Sequence, residues 1–217
     1  RRPDGNKGTF GKVLAVAGNP GMCGAAYLCG ASAFAAGAGM VRIFTAEENR
    51  IPLQTLLPEA IITCGDSEEA KEKAYQWSDV LILGPGLGTG DKARDKAEWF
   101  LRRAWEDRKS VILDADGLNL LSDHPQWRKW LGTHVTLTPH IGEMSRLTGK
   151  TAQEIIGDRV DSAVSLARET GAVCVLKDAC TVTAGPEGNA WINLSGNAGM
   201  GTAGSGDVLA GVLAGMQ

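Results

Sequence analysis

An α/β fold, with a mostly parallel central sheet covered by helices on both faces, is predicted from three observations in this sequence. Short aliphatic or β-branched runs recur along it, helix-compatible stretches separate most of them, and the runs are continuously apolar rather than alternating. Unbroken apolarity is what a strand needs when neither of its faces meets water.

The runs fall at residues 13–17, 41–45, 60–63, 80–83, 111–113, 135–138 and 173–176. Residues 181–184 and 190–193 then flank Gly185-Pro186-Glu187-Gly188-Asn189, which reads as a hairpin with a five-residue loop and predicts an antiparallel edge near the end of the sheet. Thr151 followed by Glu154 spells a capping box at a helix start, and Gly149 is placed to close the helix before it. With 217 residues, 43% hydrophobic, the chain can bury one sizeable core. No repeat, low-complexity tract or linker divides it, so residues 1–217 are read as a single domain. It begins at Arg1 without Met and stops at Gln217 inside an apolar helical pattern (Val208, Leu209, Val212, Leu213, Met216). The expectation is therefore a fragment of a longer chain, with a further helix or two to cover that face.

A net charge of −3 without a Lys/Arg block gives no electrostatic footprint for nucleic acid or an anionic membrane. The longest apolar stretch, residues 25–40, is too interrupted by Gly and Ser to span a bilayer. The five cysteines form no C-x-x-C pair and sit mostly in apolar runs, as reduced core thiols of a cytoplasmic protein would.

The 29 glycines concentrate attention on loops. In parallel sheets ligands bind beyond the carboxyl ends of the strands. The segments that follow the runs are Gly18-Asn19-Pro20-Gly21, Gly84-Pro85-Gly86-Leu87-Gly88, Asp114-Ala115-Asp116-Gly117, Pro139-His140-Ile141-Gly142-Glu143 and Lys177. The sharpest motif runs from Gly199 to Asp207 into an apolar helix. Small residues at a helix start leave amides bare for a phosphate, and Gly204, Ser205 and Gly206 supply them. Asp207 just beyond can take the proton of a hydroxyl that attacks a phosphoryl group, although acids are also favoured in any first helical turn.

Better-known phosphate motifs are excluded. Gly199-x-Gly201-x-x-Gly204 has too little chain after it for a dinucleotide-binding βαβ unit, and Gly84-x-Gly86-x-Gly88 lacks the required spacing. Gly11-Lys12 is followed by Val13 and precedes its strand, unlike a P-loop, and there is no G-x-S-x-G elbow. Lys177 can meet phosphates at the end of its strand or merely be solvated. Glu143 can organise Mg²⁺ through water or serve as a first-turn acid, and His140 is a loop histidine able to contact a ligand.

Taken together, six segments in order resemble the ADP/ATP-dependent NAD(P)H-hydrate dehydratases. They are residues 6–14 (NKGTFGKVL), 84–88 (GPGLG), 114–121 (DADGLNLL), 137–144 (LTPHIGEM), 176–181 (LKDACT) and 196–211 (GNAGMGTAGSGDVLAG). The resemblance implies a ribokinase-like three-layer fold, and the C-terminal half of a bifunctional epimerase–dehydratase. It implies a hydrated nicotinamide dinucleotide (NADHX or NADPHX) near Ala25, Gly88, His140 and Asp207, and ADP or ATP at Lys177, Asp178, Ala179, Cys180, Thr181 and Gly206. It further implies phosphorylation of the ring hydroxyl followed by loss of phosphate, Mg²⁺ on the phosphate oxygens, and a homotetramer. Departures from the family pattern are Asp178 in place of Gly, Ile141 in place of Pro and Ala203 in place of Gly. Two other expectations compete: a small-molecule kinase of the same fold, such as a hydroxyethylthiazole kinase, and a nucleotide-binding module without catalysis.

Overall fold

The computed structural model describes residues 3–217. All seven apolar runs form strands: β1 (Lys12–Val16), β2 (Met40–Thr45), β3 (Ile61–Cys64), β4 (Val80–Leu83), β5 (Ser110–Leu113), β6 (Val135–Leu137) and β7 (Val173–Leu176). The hairpin forms as β8 (Thr181–Ala184) and β9 (Ala190–Asn193). The sheet order is β3-β2-β1-β4-β5-β6-β7-β8-β9, parallel through β7 and antiparallel in the last two pairings. Thr138, expected inside β6, lies just beyond it because its hydroxyl turns to Asp114.

The helices are α1 (Cys23–Ala36), α2 (Arg50–Leu56), α3 (Glu68–Trp77), α4 (Asp91–Asp107), α5 (Asp116–Asp123), α6 (Ile141–Thr148), α7 (Ala152–Gly157), α8 (Arg159–Thr170) and α9 (Ser205–Gly215). Thr151 and Glu154 make the expected reciprocal cap of α7, and Gly149 closes α6 in the left-handed conformation at φ 73°.

Alternate residues along each central strand point to opposite layers, which is why the runs had to be apolar throughout. Leu14, Val16, Leu81, Leu83, Val111 and Leu113 pack with the aromatic residues Tyr75, Trp99 and Phe100 beneath α3–α8. Val13, Ala15, Val41, Ile43, Ile82 and Ile112 pack under α1, α2 and α9. Small residues set the spacing of α1 and α9. A Cβ on Gly211 would lie 2.0 Å from Ser32 Oγ and 2.3 Å from the Cys29 carbonyl oxygen, and one on Gly215 would lie 2.5 Å from Ala33 O. This close seating fixes α9, whose first turn carries the predicted catalytic aspartate. Farther along the α9 side of the sheet, Thr136, Val173 and Thr183 are only half-buried, and Trp191 on the edge strand is exposed.

Candidate active site

The loops at the carboxyl ends of β4–β7 and the start of α9 converge on one crevice. After β4, Gly84 adopts φ 124°, and a Cβ there would sit 2.0 Å from the Asp114 carbonyl oxygen and 2.5 Å from the Gly117 amide. Only glycine allows that loop to press against the start of α5. Between the two acids of that start, Ala115 holds φ 48° and ψ −118°, a positive-φ conformation that costs a non-glycine residue about 1–3 kcal/mol and clusters at functional sites. Asp116 ties the two loops together: its Oδ2 accepts the Gly88 amide at 2.7 Å and its Oδ1 accepts Asn119 Nδ2 at 3.2 Å.

Asp114 is 1% exposed and its Oδ1 accepts both Thr138 Oγ1 and Lys177 Nζ at 2.7 Å. A buried carboxylate needs such partners, and the lysine ending β7 supplies the charge. Lys177 is therefore more than a solvated strand end. Its Nζ also lies 3.9 Å from Glu143 Oε2. Over this pair lies Gly206: a Cβ there would be 3.4 Å from Lys177 Nζ and 3.7 Å from Asp114 Oδ2.

Glycine starts α9. Gly204 caps it at φ 91°, and a Cβ there would strike Leu28 Cδ1 at 2.4 Å. The Gly206 and Asp207 amides meet no carbonyl acceptor among the described residues, so they remain open to an anion, aided by the helix dipole. Ser205 Oγ, by contrast, is spent on Met200 O and Thr202 O, at 2.6 and 3.0 Å. Asp207 follows in the first turn, held from behind by Cys29 Sγ, which donates to its carbonyl oxygen at 3.3 Å. Burial, reinforced by the Asp114 charge and opposed by Lys177, pushes the Asp207 carboxyl above the ordinary aspartate range.

His140 and Glu143 have a local role that sequence reading saw only for the acid. His140 Nδ1 accepts the Gly142 and Glu143 amides at 2.9 and 3.2 Å, while Glu143 Oε2 accepts the His140 amide at 2.8 Å. The two form a reciprocal cap on α6. Glu143 is nearly buried, and its carboxyl is pushed up by burial against the pull of Lys177. His140 Nε2 lies 3.4 Å from Glu143 Oε1, and the ring remains half exposed. Among the described residues no group of three His, Cys, Asp or Glu is placed to hold a metal ion.

Asp178, the departure that would set a carboxylate beside phosphate, is turned to Arg159 Nε at 2.5 Å. The Ala179 amide, then Arg159, hold its carboxyl below the usual range. Thr181 Oγ1 donates to the Asp178 carbonyl oxygen at 3.2 Å, and Cys180 is exposed. Ala25 lies against the Gly86 turn, 2.9 Å from where a Cβ on that glycine would be. The crevice thus brings Lys177, Gly206 and Asp207 to Asp114 and Glu143, with Gly88 joined through Asp116. Asp114 and Asp116 were not assigned roles from sequence, although two acids directly after an apolar run carried the signal. Beside Gly88 a cavity of about 540 Å³ opens between the ends of β1–β3 and the segment that follows β4, lined by Asn19, Thr45, Glu47, Glu48 and Lys96 among others.

Comparison with known proteins agrees with this architecture. The family model described as NAD(P)H-hydrate dehydratase matches residues 13–217. The bifunctional NAD(P)H-hydrate repair enzyme of Thermofilum pendens is 41% identical, over 99% of this chain and 42% of its own. This chain thus spans about two fifths of that relative's length. The ADP-dependent (S)-NAD(P)H-hydrate dehydratase of Neisseria meningitidis is 36% identical, over 98% of this chain and 71% of its own. Among solved structures, the ADP/ATP-dependent NAD(P)H-hydrate dehydratase of Bacillus subtilis, co-crystallised with ATP/Mg²⁺, superposes with a TM-score of 0.82 at 32% identity, covering 100% of this chain and 75% of that one.

Proposed function

This chain belongs to the NAD(P)H-hydrate dehydratase family, and on that premise we propose that it dehydrates (S)-NADHX or (S)-NADPHX to the reduced dinucleotide while converting ADP to AMP, or ATP to ADP, and phosphate. The observation that carries the reading is the position of Asp207, a carboxylate with a raised proton affinity beside two acceptor-free amides and opposite the Lys177–Asp114 pair.

Asp207 takes the proton of the ring hydroxyl. The freed oxygen attacks the terminal phosphorus of the nucleotide, whose bond to the bridging oxygen breaks. The Gly206 and Asp207 amides at the start of α9, framed by Gly204 and Ser205, receive the charge that builds on the phosphoryl oxygens. Lys177 stands on the far side of Gly206, ready for the phosphates that the leaving nucleotide keeps. Phosphate then departs with the C–O electron pair as a proton leaves the adjacent ring carbon, restoring the double bond. Phosphorylation has turned hydroxide, a poor leaving group, into a good one.

Two carboxylates of the crevice, Asp114 and Glu143, are both engaged with Lys177, and Glu143 also caps α6. Any Mg²⁺ would be held mainly by nucleotide phosphates and water, with Asp114 Oδ2 and Glu143 at its margin; bound there it neutralises phosphate oxygens. Ala25, Gly88 and His140 line the substrate side in this reading, and 177–181 the nucleotide side. Five unpaired thiols favour a reducing, cytoplasmic setting, and no described helix is long and apolar enough to cross a membrane. Exposed Trp191, Ile192 and Leu194 along the edge strand favour self-association, and a homotetramer is the expected state in light scattering. Recovery of reduced-nicotinamide absorbance from NADHX and ADP tests the reaction; a stable phosphorylated product would make the protein a kinase instead.

A further inference from the structure

Three features line the carboxyl edge of the sheet in order. The 177–181 loop lies at the end of β7, the start of α9 stands over β4 and β5, and the 540 Å³ cavity lies between the ends of β1–β3 and the segment that follows β4. If the phosphoryl donor approaches from β7 and the hydrated ring sits at Asp207, the rest of a dinucleotide has to leave the reaction centre away from the donor. The cavity lies on that side. It is continuous with the ring site, because Asn19 and Leu87 line it and a Cβ on Gly88 would be 2.8 Å from Asn19 Nδ2. Asn19 is exposed there, and its side-chain amide makes no hydrogen bond to protein among the described residues.

The charges of the cavity wall are uneven. Asp66 is paired with Lys96, Glu47 with Arg50 and Asp91 with Arg94. Glu48 has no ion-pair partner among the described residues, and neither does Lys92, in the first turn of α4 where Gly90 provides no side-chain cap. The α4 amides and Lys92 offer a place for a pyrophosphate, whereas Glu47 and Glu48 offer acceptors for sugar hydroxyls. A carboxylate at a ribose accepts a free 2′-hydroxyl and repels a 2′-phosphate.

We propose that this cavity is the subsite for the adenylyl half of the dinucleotide substrate, and that Glu48 makes it favour the form with a free ribose 2′-hydroxyl, NADHX over NADPHX. The proposal rests on the dehydratase reading for the position of the ring. It is tested with the intact protein by measuring Kd and KM for NADHX and for NADPHX in the unmutated chain, in Ala46→Trp, which fills the cavity, and in Glu48→Arg. Ala46→Trp should raise Kd and KM for NADHX by about tenfold or more while leaving KM for ADP unchanged. Glu48→Arg should shift the NADHX:NADPHX ratio toward NADPHX by about tenfold. Unchanged dinucleotide affinities in both variants, with normal turnover, would overturn the subsite and leave the dehydratase reading standing. Cavity-dependent binding of NADHX without turnover would do the opposite.

Discussion

Replacing Gly211 by alanine tests whether the spacing of α1 and α9 sets the catalytic position. The added Cβ would lie 2.0 Å from Ser32 Oγ, 2.3 Å from Cys29 O and 3.0 Å from Ala33 N. Ser32 can rotate away by giving up its 2.6 Å bond to Leu28 O, but the Cys29 and Ala33 contacts are backbone and cannot. Relief to ordinary contact requires α9 to move outward by roughly 1 Å, a shift that overpacked cores accept at a cost of about 1–3 kcal/mol. At about 2–4 °C per kcal/mol for a chain of this size, Tm should fall by roughly 2–12 °C without loss of the fold. The same shift pulls on the Cys29–Asp207 bond and carries Asp207 with it, and a 1 Å misplacement of reacting groups can cost about a hundredfold in rate. Calorimetry and kcat/KM from reduced-nicotinamide absorbance, with Gly157→Ala as control because nothing lies within 4 Å of a Cβ there, decide the matter. Unchanged Tm and turnover in Gly211→Ala would refute the reasoning.

Lys177→Met strips the charged partner from buried Asp114 and should lower stability by about 2–3 kcal/mol, less than a fully buried pair because the lysine side chain remains 20% exposed; denaturant midpoints measure it, and ADP affinity should fall in the same variant. Because the folded-state proton affinity of Asp207 is raised, its ionisation opposes folding as pH climbs from the ordinary aspartate range through the raised value. Asp207→Asn should therefore raise Tm at neutral pH while abolishing turnover, a combination read by paired calorimetry and kinetics. Turnover needs the same carboxyl ionised, so kcat/KM should decline on acidification at a pH above the ordinary aspartate range, and Asp114→Asn should move that limb to lower pH. Gly206→Val should weaken ADP binding by crowding Lys177 and Asp114, leaving the far-ultraviolet circular dichroism intact; unchanged calorimetric affinity would contradict it. Thr151→Ala removes the α7 cap and should cost about 1 kcal/mol with no effect on kcat.

The centre of the sheet was legible because strands buried on both faces, as β1, β4 and β5 nearly are, have to be apolar along their length, whereas the more exposed β3 was legible only as a short aliphatic run. The hairpin, the α7 cap and Gly149 were legible because their chemistry is local. Partnerships across the sheet were not. Nothing near Lys177 in the chain announces that its charge is met by Asp114, which lies 63 residues earlier and two strands away. Asp178 looked awkward beside a phosphate until Arg159, on a separate helix, drew its carboxylate aside. His140 was noticed as a loop residue, but a histidine acting as a helix cap through Nδ1 carries no familiar signature, since Ser, Thr, Asp and Asn usually do that work. The cavity beside Gly88 is assembled from segments following four strands, which no local pattern displays.

The most direct test combines (S)-NADHX, ADP and the protein and follows products by mass spectrometry alongside absorbance. NADH, AMP and phosphate should appear in equal amounts, and Asp207→Asn should yield none of them. A phosphorylated dinucleotide that persists, or equal turnover by Asp207→Asn, would contradict the assignment of that carboxylate as the base in a dehydration.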